Sequence, residues 1–202
     1  LIAAAVAEND NVVVVVVGGS AVVMPWASTV PAILMTWYSG VEGGSALADV
    51  LAGDAEPAGR LPFVVPSDPA HLPHFDLDAT EITYDLVPGQ WKLDRDGYAA
   101  HFPVGWGLGW GSVDVVRAEL VDPSTLVVSV HNPGRRTLRP AVFAHAGIEH
   151  GEWERPARRL VGFARADVAP GATVDVEVDV DWSMLDVRVD GDWITEGGEY
   201  VI

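Results

Sequence analysis

The sequence predicts two architectures in succession. The first is an α/β layer, a parallel sheet with flanking helices, over residues 1–66; the second is an all-β sandwich over residues 112–202. An irregular segment, residues 67–111, separates them. Three observations carry this division. Two compact apolar runs, Val12 to Val17 and Ala32 to Trp37, lie before Pro66 without the alternation of a half-exposed strand, which suits strands buried on both faces. Periodicity then disappears among turn residues. After Gly111 it returns as about seven short alternating runs, the pattern of an antiparallel sandwich.

Taken in order, Leu1 to Glu8 reads as the end of a helix that Asn9-Asp10-Asn11 breaks. The start resembles a cut in a longer chain, since Leu1 is not methionine and no positive flank or cleavage site of a signal peptide precedes the first strand. Localisation stays open between cytoplasm and secretion. The six valines fall far short of the roughly 20 apolar residues of a membrane helix and are strong strand formers. Gly18-Gly19-Ser20 after the strand is the place for a phosphate-cradling loop, but Ala21 to Pro25 brings neither lysine nor a helix start, so a plain turn is expected. Ala32 to Trp37 is the second strand. Gly43-Gly44-Ser45 then reads as a sharp turn, Ala46 to Ala52 as a short helix with Leu47, Val50 and Leu51 on one side, and Gly53 as its left-handed stop.

In the segment 67–111, Ser67-Asp68-Pro69, Leu72-Pro73-His74, Val87-Pro88-Gly89 and Asp96-Gly97 predict turns and no regular element. The strands expected after it are Val113 to Leu120, Thr125 to Val130, Pro140 to Ala146, Leu160 to Val168, Thr173 to Val180, Met184 to Val189 and Glu199 to Ile202. In the fifth, Asp175, Glu177, Asp179 and Asp181 alternate with valines, which puts the carboxylates on one face. Their spacing of about 7 Å along a strand is too wide for all four to share one calcium ion, so the stripe reads as a solvated face that discourages strand addition.

Composition narrows the function. The chain of 202 residues is 49% hydrophobic, enough for a core in each part. Its net charge of −17, from 29 acidic and 12 basic side chains, repels phosphate backbones and makes nucleic acid and anionic membranes poor partners. With no cysteine, thiolate metal sites and disulfides are excluded. The six histidines show no metal-ligand spacing and no nucleophile–base order; His71 and His74, in a proline-rich loop, read as polar surface. No metal or cofactor is expected. Of the eight tryptophans, Trp26, Trp37, Trp106 and Trp110 have glycine and proline neighbours that point to packing, whereas Trp91, inside the irregular segment, is the candidate for stacking on a sugar face.

Four motifs in one run then give a more specific reading: Met24-Pro25-Trp26, Trp37-Tyr38-Ser39-Gly40-Val41-Glu42-Gly43-Gly44, Ala48-Asp49-Val50-Leu51-Ala52-Gly53-Asp54 and Pro57-Ala58-Gly59-Arg60-Leu61-Pro62. Together they resemble the C-terminal half of the family 3 glycoside hydrolases, the β-glucosidase and β-xylosidase family. His101 to Trp110 is similar to the family's aromatic, glycine-rich passage into its last domain. Leu126 to Gly134, Arg155-Pro156, Leu160 to Phe163 and Ala169-Pro170-Gly171 resemble the fibronectin type III-like domain that closes many members. One departure is at Gly89-Gln90-Trp91, where members commonly carry Gly-Tyr-Arg.

The resemblance implies residues 1–66 as the C-terminal portion of an α/β sandwich domain, 67–111 as a loop or linker, and 112–202 as the fibronectin type III-like sandwich. It implies an O-glycosyl hydrolase acting on a β-linked glycoside or oligosaccharide, with a missing N-terminal barrel portion as structural partner. Retaining hydrolysis requires a nucleophilic and an acid/base carboxylate. The family's nucleophile Asp and acid/base Glu are expected upstream of Leu1, so no catalytic residue is assigned here and the isolated chain is expected to be inactive. Glu42, within a family motif, is expected to serve a turn. The alternative is a non-catalytic carbohydrate- or protein-binding module.

Overall fold

The computed structural model describes residues 1–202. The chain forms two compact units, one of Leu1–Ala55 with Leu61–Trp106, the other of Glu56–Arg60 with Gly107–Ile202.

The first unit opens with α1 (Ile2–Glu8), ended by Asn9 in extended conformation. The strands β1 (Val13–Val16) and β2 (Ala32–Met35) pair in parallel, Val13 opposite Ala32 through Val16 opposite Met35. Beyond the last pair, the Thr36 amide and hydroxyl both donate to the Val16 carbonyl, at 3.0 and 3.3 Å. The crossover between the strands folds over buried Met24 and Ala27, with a 3-10 turn at Ala27–Thr29.

The helix α2 (Gly43–Ala52) ends at Gly53, whose φ of 85° and N–H to the Asp49 and Val50 carbonyls form the expected left-handed stop. It starts earlier than the sequence predicts, because Gly43-Gly44-Ser45 forms its first turn instead of preceding it. Gly43 is required there, since a Cβ would meet the Ser39 side chain. Neither α1 nor α2 has a buried residue, so the parallel pair is a two-stranded sheet without the packed flanking helices the sequence predicts.

The segment 67–111 is more regular than its composition suggests. A short antiparallel pair, β3 (Val65–Pro66) with β4 (Ala100–Phe102), closes its base. Between them lie a 3-10 turn at Pro69–His71, capped by Asp68, and a helix, α3 (Gly89–Asp96). Apolar periodicity could not reveal α3, whose only large apolar residues are Trp91 and Leu93. Side-chain pairs four residues apart support it instead, Gln90 to Asp94 at 2.7 Å and Lys92 to Asp96. Gly97, at φ 73°, stops it.

The second unit is a β-sandwich. Its strands are β5 (Asp114–Asp122), β6 (Thr125–His131), β7 (Ala141–Ile148), β8 (Arg159–Arg165), β9 (Thr173–Asp179), β10 (Val187–Val189), β11 (Asp192–Ile194) and β12 (Tyr200–Val201). One sheet has the order β5-β6-β9, a second β12-β7-β8, and β10 with β11 forms a hairpin. All pairings are antiparallel. The turn of the hairpin, Asp190-Gly191, has positive φ at both residues, as the twist of a tight hairpin requires. Leu126, Val128 and Val130 of β6 and Val176 and Val178 of β9 fill the core against Ala144 and Ala146 of β7 and Val161 of β8.

The alternation predicted for β9 is present: Asp175, Glu177 and Asp179 are exposed, and Val176 and Val178 are buried. Asp181 leaves the stripe, because its carboxylate caps the 3-10 turn Trp182–Leu185 by accepting from the Ser183 amide at 3.0 Å. Asn132 is fully buried at the end of β6. Its amide donates to the carbonyls of Arg136 and Val168, both at 2.8 Å, and its oxygen accepts from the Gly134 amide at 2.9 Å. All three of these bonds replace water lost on burial.

Glu56–Arg60 belongs to this second unit for reasons visible in its hydrogen bonds. One Glu56 carboxylate oxygen accepts from the Trp110 amide at 3.3 Å and the other from the Arg139 amide at 2.8 Å. Arg165 donates to the Ala58 carbonyl.

Candidate functional site

Ligands of open α/β layers bind beyond the carboxyl ends of parallel strands. In the first unit those ends carry Val17 to Ser20 after β1 and Trp37 to Glu42 after β2. Because the strands are paired in parallel, both loops emerge side by side, and a Cβ on Gly19 would come within 2.7 Å of the Tyr38 ring. Tyr38 is nevertheless 79% exposed. Trp37 has φ 56°, a region a bulky side chain seldom occupies. Its ring is held edge-on against Phe63, centroids 5.1 Å apart. This is the packing role expected for Trp37, and it turns the chain so that Tyr38 faces outward. Glu42 is exposed at the N-cap of α2 and its carboxylate makes no capping bond.

Trp91 lies on α3 rather than in a loop, and it is half-buried. The helix is pinned around it. Leu93 is buried, the side-chain Oε1 of Gln90 accepts from the Val104 amide at 3.3 Å, and Arg95 reaches both Asp96 at 2.9 Å and Asp85 at 3.3 Å. These contacts hold the Arg95 guanidinium above its ordinary pKa, mainly through Asp96, and hold the Asp96 carboxyl below the usual carboxylate range, mainly through Lys92. A rigid helix holding a partly exposed indole can present a flat apolar face to a ring-shaped ligand.

Another aromatic pair in the same unit escaped the sequence. His71 stacks on Tyr98, with centroids 3.9 Å apart and planes 14° from parallel, and its Nδ1 is buried without a hydrogen-bond partner. His71 is therefore a packed residue, where composition pointed to polar surface. The two residues lie 27 positions apart, and no local spacing could have joined them. No group of three or more His, Asp or Glu is arranged to hold a metal ion.

The model of the glycosyl hydrolase family 3 C-terminal domain matches residues 1–110, and that of the fibronectin type III-like domain matches residues 142–202. The chain belongs to glycosyl hydrolase family 3. A β-glucosidase of Rhizobium radiobacter is 36% identical to it over 225 residues, covering 99% of this chain and 26% of that protein. A β-glucosidase of Bacteroides ovatus is 30% identical, covering 99% of this chain and 29% of that protein. Among solved structures, the β-glucosidase of Kluyveromyces marxianus in complex with glucose superposes with a TM-score of 0.85 at 28% identity, covering 98% of this chain and 26% of that one. The β-D-glucoside glucohydrolase of Trichoderma reesei shares the fold, with a TM-score of 0.89 at 20% identity, covering 99% of this chain and 32% of that one. The chain thus spans about a quarter of the length of the family 3 relatives it matches.

Proposed function

We propose that this chain is the C-terminal portion of a β-glucosidase-like enzyme that hydrolyses O-glycosyl bonds of β-linked glycosides or oligosaccharides. The observation that carries the reading is the family relationship along nearly the full chain to proteins named β-glucosidases, which this chain matches over about a quarter of their length. In this reading the family's nucleophile Asp and acid/base Glu are supplied by polypeptide outside these residues. Within them, the first unit forms a wall of the substrate cleft. The parallel pair β1–β2 is then part of a larger α/β layer. That is supported by helices α1 and α2 having no buried residue and by Val13 and Val17 being 46% and 67% exposed, which leaves apolar faces for further elements to cover.

Residues 112–202 act as a separately folding fibronectin type III-like sandwich, and 67–111 as the segment that presents Trp91 to substrate. The isolated chain is inactive, because a covalent retaining mechanism deprived of both carboxylates keeps almost none of its acceleration. The test is glucose release by a longer polypeptide that includes these residues, measured with matched aryl β- and α-glucosides. Hydrolysis restricted to the β-anomer is expected; hydrolysis of neither, or of the α-anomer alone, would overturn the proposal.

A further inference from the structure

The chain contains two Asp-Gly steps, Asp96-Gly97 and Asp190-Gly191, and the fold treats them in opposite ways. An aspartyl side chain followed by glycine can close on the main chain, because glycine has no Cβ to obstruct the approach of its own amide nitrogen to the carboxyl carbon. Closure requires a carboxyl group that can turn, an amide nitrogen not tied up in a hydrogen bond, and open space around the turn. A protonated carboxyl is the better electrophile.

The step at Asp96 is restrained at both reacting groups. Lys92 donates to one carboxylate oxygen of Asp96, and Arg95 Nε donates to the other at 2.9 Å. These bonds, that of Lys92 first, hold the carboxyl below the usual carboxylate range and so keep it ionised. The Gly97 amide donates to the Asp94 carbonyl at 3.4 Å in the left-handed stop of α3. Asp190 and Gly191 form the tip of the β10–β11 hairpin, and both are exposed. The Asp190 carboxylate has no ion pair, and neither it nor the Gly191 amide has a hydrogen-bond partner in the chain. The space beside Gly191 is open.

We infer that Asp190 is a site of spontaneous isomerisation to isoaspartate, and that α3 protects the same dipeptide at Asp96. The Gly191 nitrogen bonds to the side-chain carboxyl carbon of Asp190; its proton leaves with the carboxyl hydroxyl as water, and a succinimide ring results. One solvent water then opens the ring. Addition at the Asp190 main-chain carbonyl leaves the chain running through the side-chain carbons, an isoaspartyl linkage of unchanged mass; addition at the other carbonyl restores aspartate. Nothing is oxidised or reduced. Val189 pairs with Asp192 directly across this turn, so the added main-chain carbon falls where the register of the hairpin is set. Arg188, whose guanidinium lies 5.9 Å from the centroid of the Trp193 ring, belongs to the next pair that the change disturbs.

The experiment ages the full 202-residue chain at physiological temperature and neutral pH, folded and in concentrated urea, and locates isoaspartyl linkages by electron-transfer fragmentation of its peptides. In the folded chain isoaspartate should accumulate at Asp190 roughly tenfold faster than at Asp96, or more, since bonds to both reacting groups of Asp96-Gly97 must first be broken. In urea the two steps should react at similar rates. Replacing Lys92→Gln together with Arg95→Gln should raise the folded rate at Asp96 and leave that at Asp190 unchanged. Asp190→Glu should abolish the product at that position, because the longer side chain must close a larger ring. Equal rates at the two steps in the folded chain would overturn the inference, and so would an Asp190 that stays aspartyl when folded but reacts in urea.

Discussion

The ion pair between Arg155 and Glu196 allows the sharpest test of how the sandwich is held together. Both side chains are about nine-tenths buried, at 8% and 10% exposure. Arg155 also donates to the Leu185 carbonyl at 3.2 Å, and Glu196 accepts from the Glu152 amide at 2.5 Å. The Tyr200 hydroxyl adds a bond of 2.6 Å to the Glu196 carbonyl. Glu196→Gln keeps the shape but leaves a buried guanidinium without its counter-charge. Breaking a buried pair from one side costs about 3–5 kcal/mol, whereas removing both charges in favour of apolar groups of similar volume costs far less. For a unit of roughly 100 residues, such a loss lowers Tm by about 12 °C or more. Denaturant unfolding of Glu196→Met, Arg155→Met and the double variant that combines them closes a double-mutant cycle, with Glu196→Gln measured beside it as the isosteric change. Each single change should cost more than the double. Single variants that lose under about 1 kcal/mol would refute it, because that is the size of a solvent-screened surface pair.

Three further outcomes follow from particular residues. Asn132→Ala leaves the Arg136 carbonyl and the Gly134 amide without their partner and takes one of two donors from the Val168 carbonyl, which keeps the Leu138 amide; chemical denaturation should show a loss of about 3 kcal/mol, and a loss below about 1 kcal/mol would mean that water replaces the side chain. Asp167 is lowered below the usual carboxylate range chiefly by its hydrogen bond to Arg139, and Asp122 by the Ser124 amide. Groups depressed in the folded state stabilise it above their unfolded pKa of about 3.9, and that stability is lost as pH falls through the folded pKa. Burial, then Arg158, depresses His145 too, so its contribution begins to fall below about pH 6.5. Tm measured from pH 8 to pH 3 should decline first in the His145 range and again below about pH 4. Asp167→Asn should blunt the second decline, and a flat profile would contradict both assignments. In a longer, active polypeptide, Trp91→Ala should raise KM about tenfold with a smaller change in kcat and Trp91→Phe should restore most of it, as loss of ring stacking requires; unchanged KM would remove Trp91 from the substrate site.

Local chemistry made the strands legible. The valine–carboxylate alternation of β9 needs no tertiary information, because one face must be buried and the other solvated. The left-handed stop at Gly53 was equally local. What the sequence concealed depends on contacts distant in the chain. α3 has a polar sequence, so its helix is visible only through pairs such as Gln90 with Asp94 and through the burial of Leu93. Gly43-Gly44-Ser45 has turn composition yet starts α2. The expected strand Met184 to Val189 begins in the structure only at Val187, because Asp181 caps a 3-10 turn through Leu185, and the strand Asp192–Ile194 was too short to register. Glu56 reaches Trp110 and Arg139, 54 and 83 residues away, and His71 meets Tyr98 across a loop. No periodicity encodes such partners. The candidate site was legible as motifs around Trp37 to Glu42, while the outward turn of Tyr38 appears only once Trp37 is seen at positive φ against Phe63.

The most direct measurement of the central claim is an assay of the 202-residue chain alone with an aryl β-glucoside, beside the longer polypeptide that contains it. The chain should show no turnover above buffer, and the longer polypeptide clear turnover. Turnover by the isolated chain that disappears in Glu42→Gln would contradict it, since the catalytic carboxylate would then lie within these residues, at the N-cap of α2.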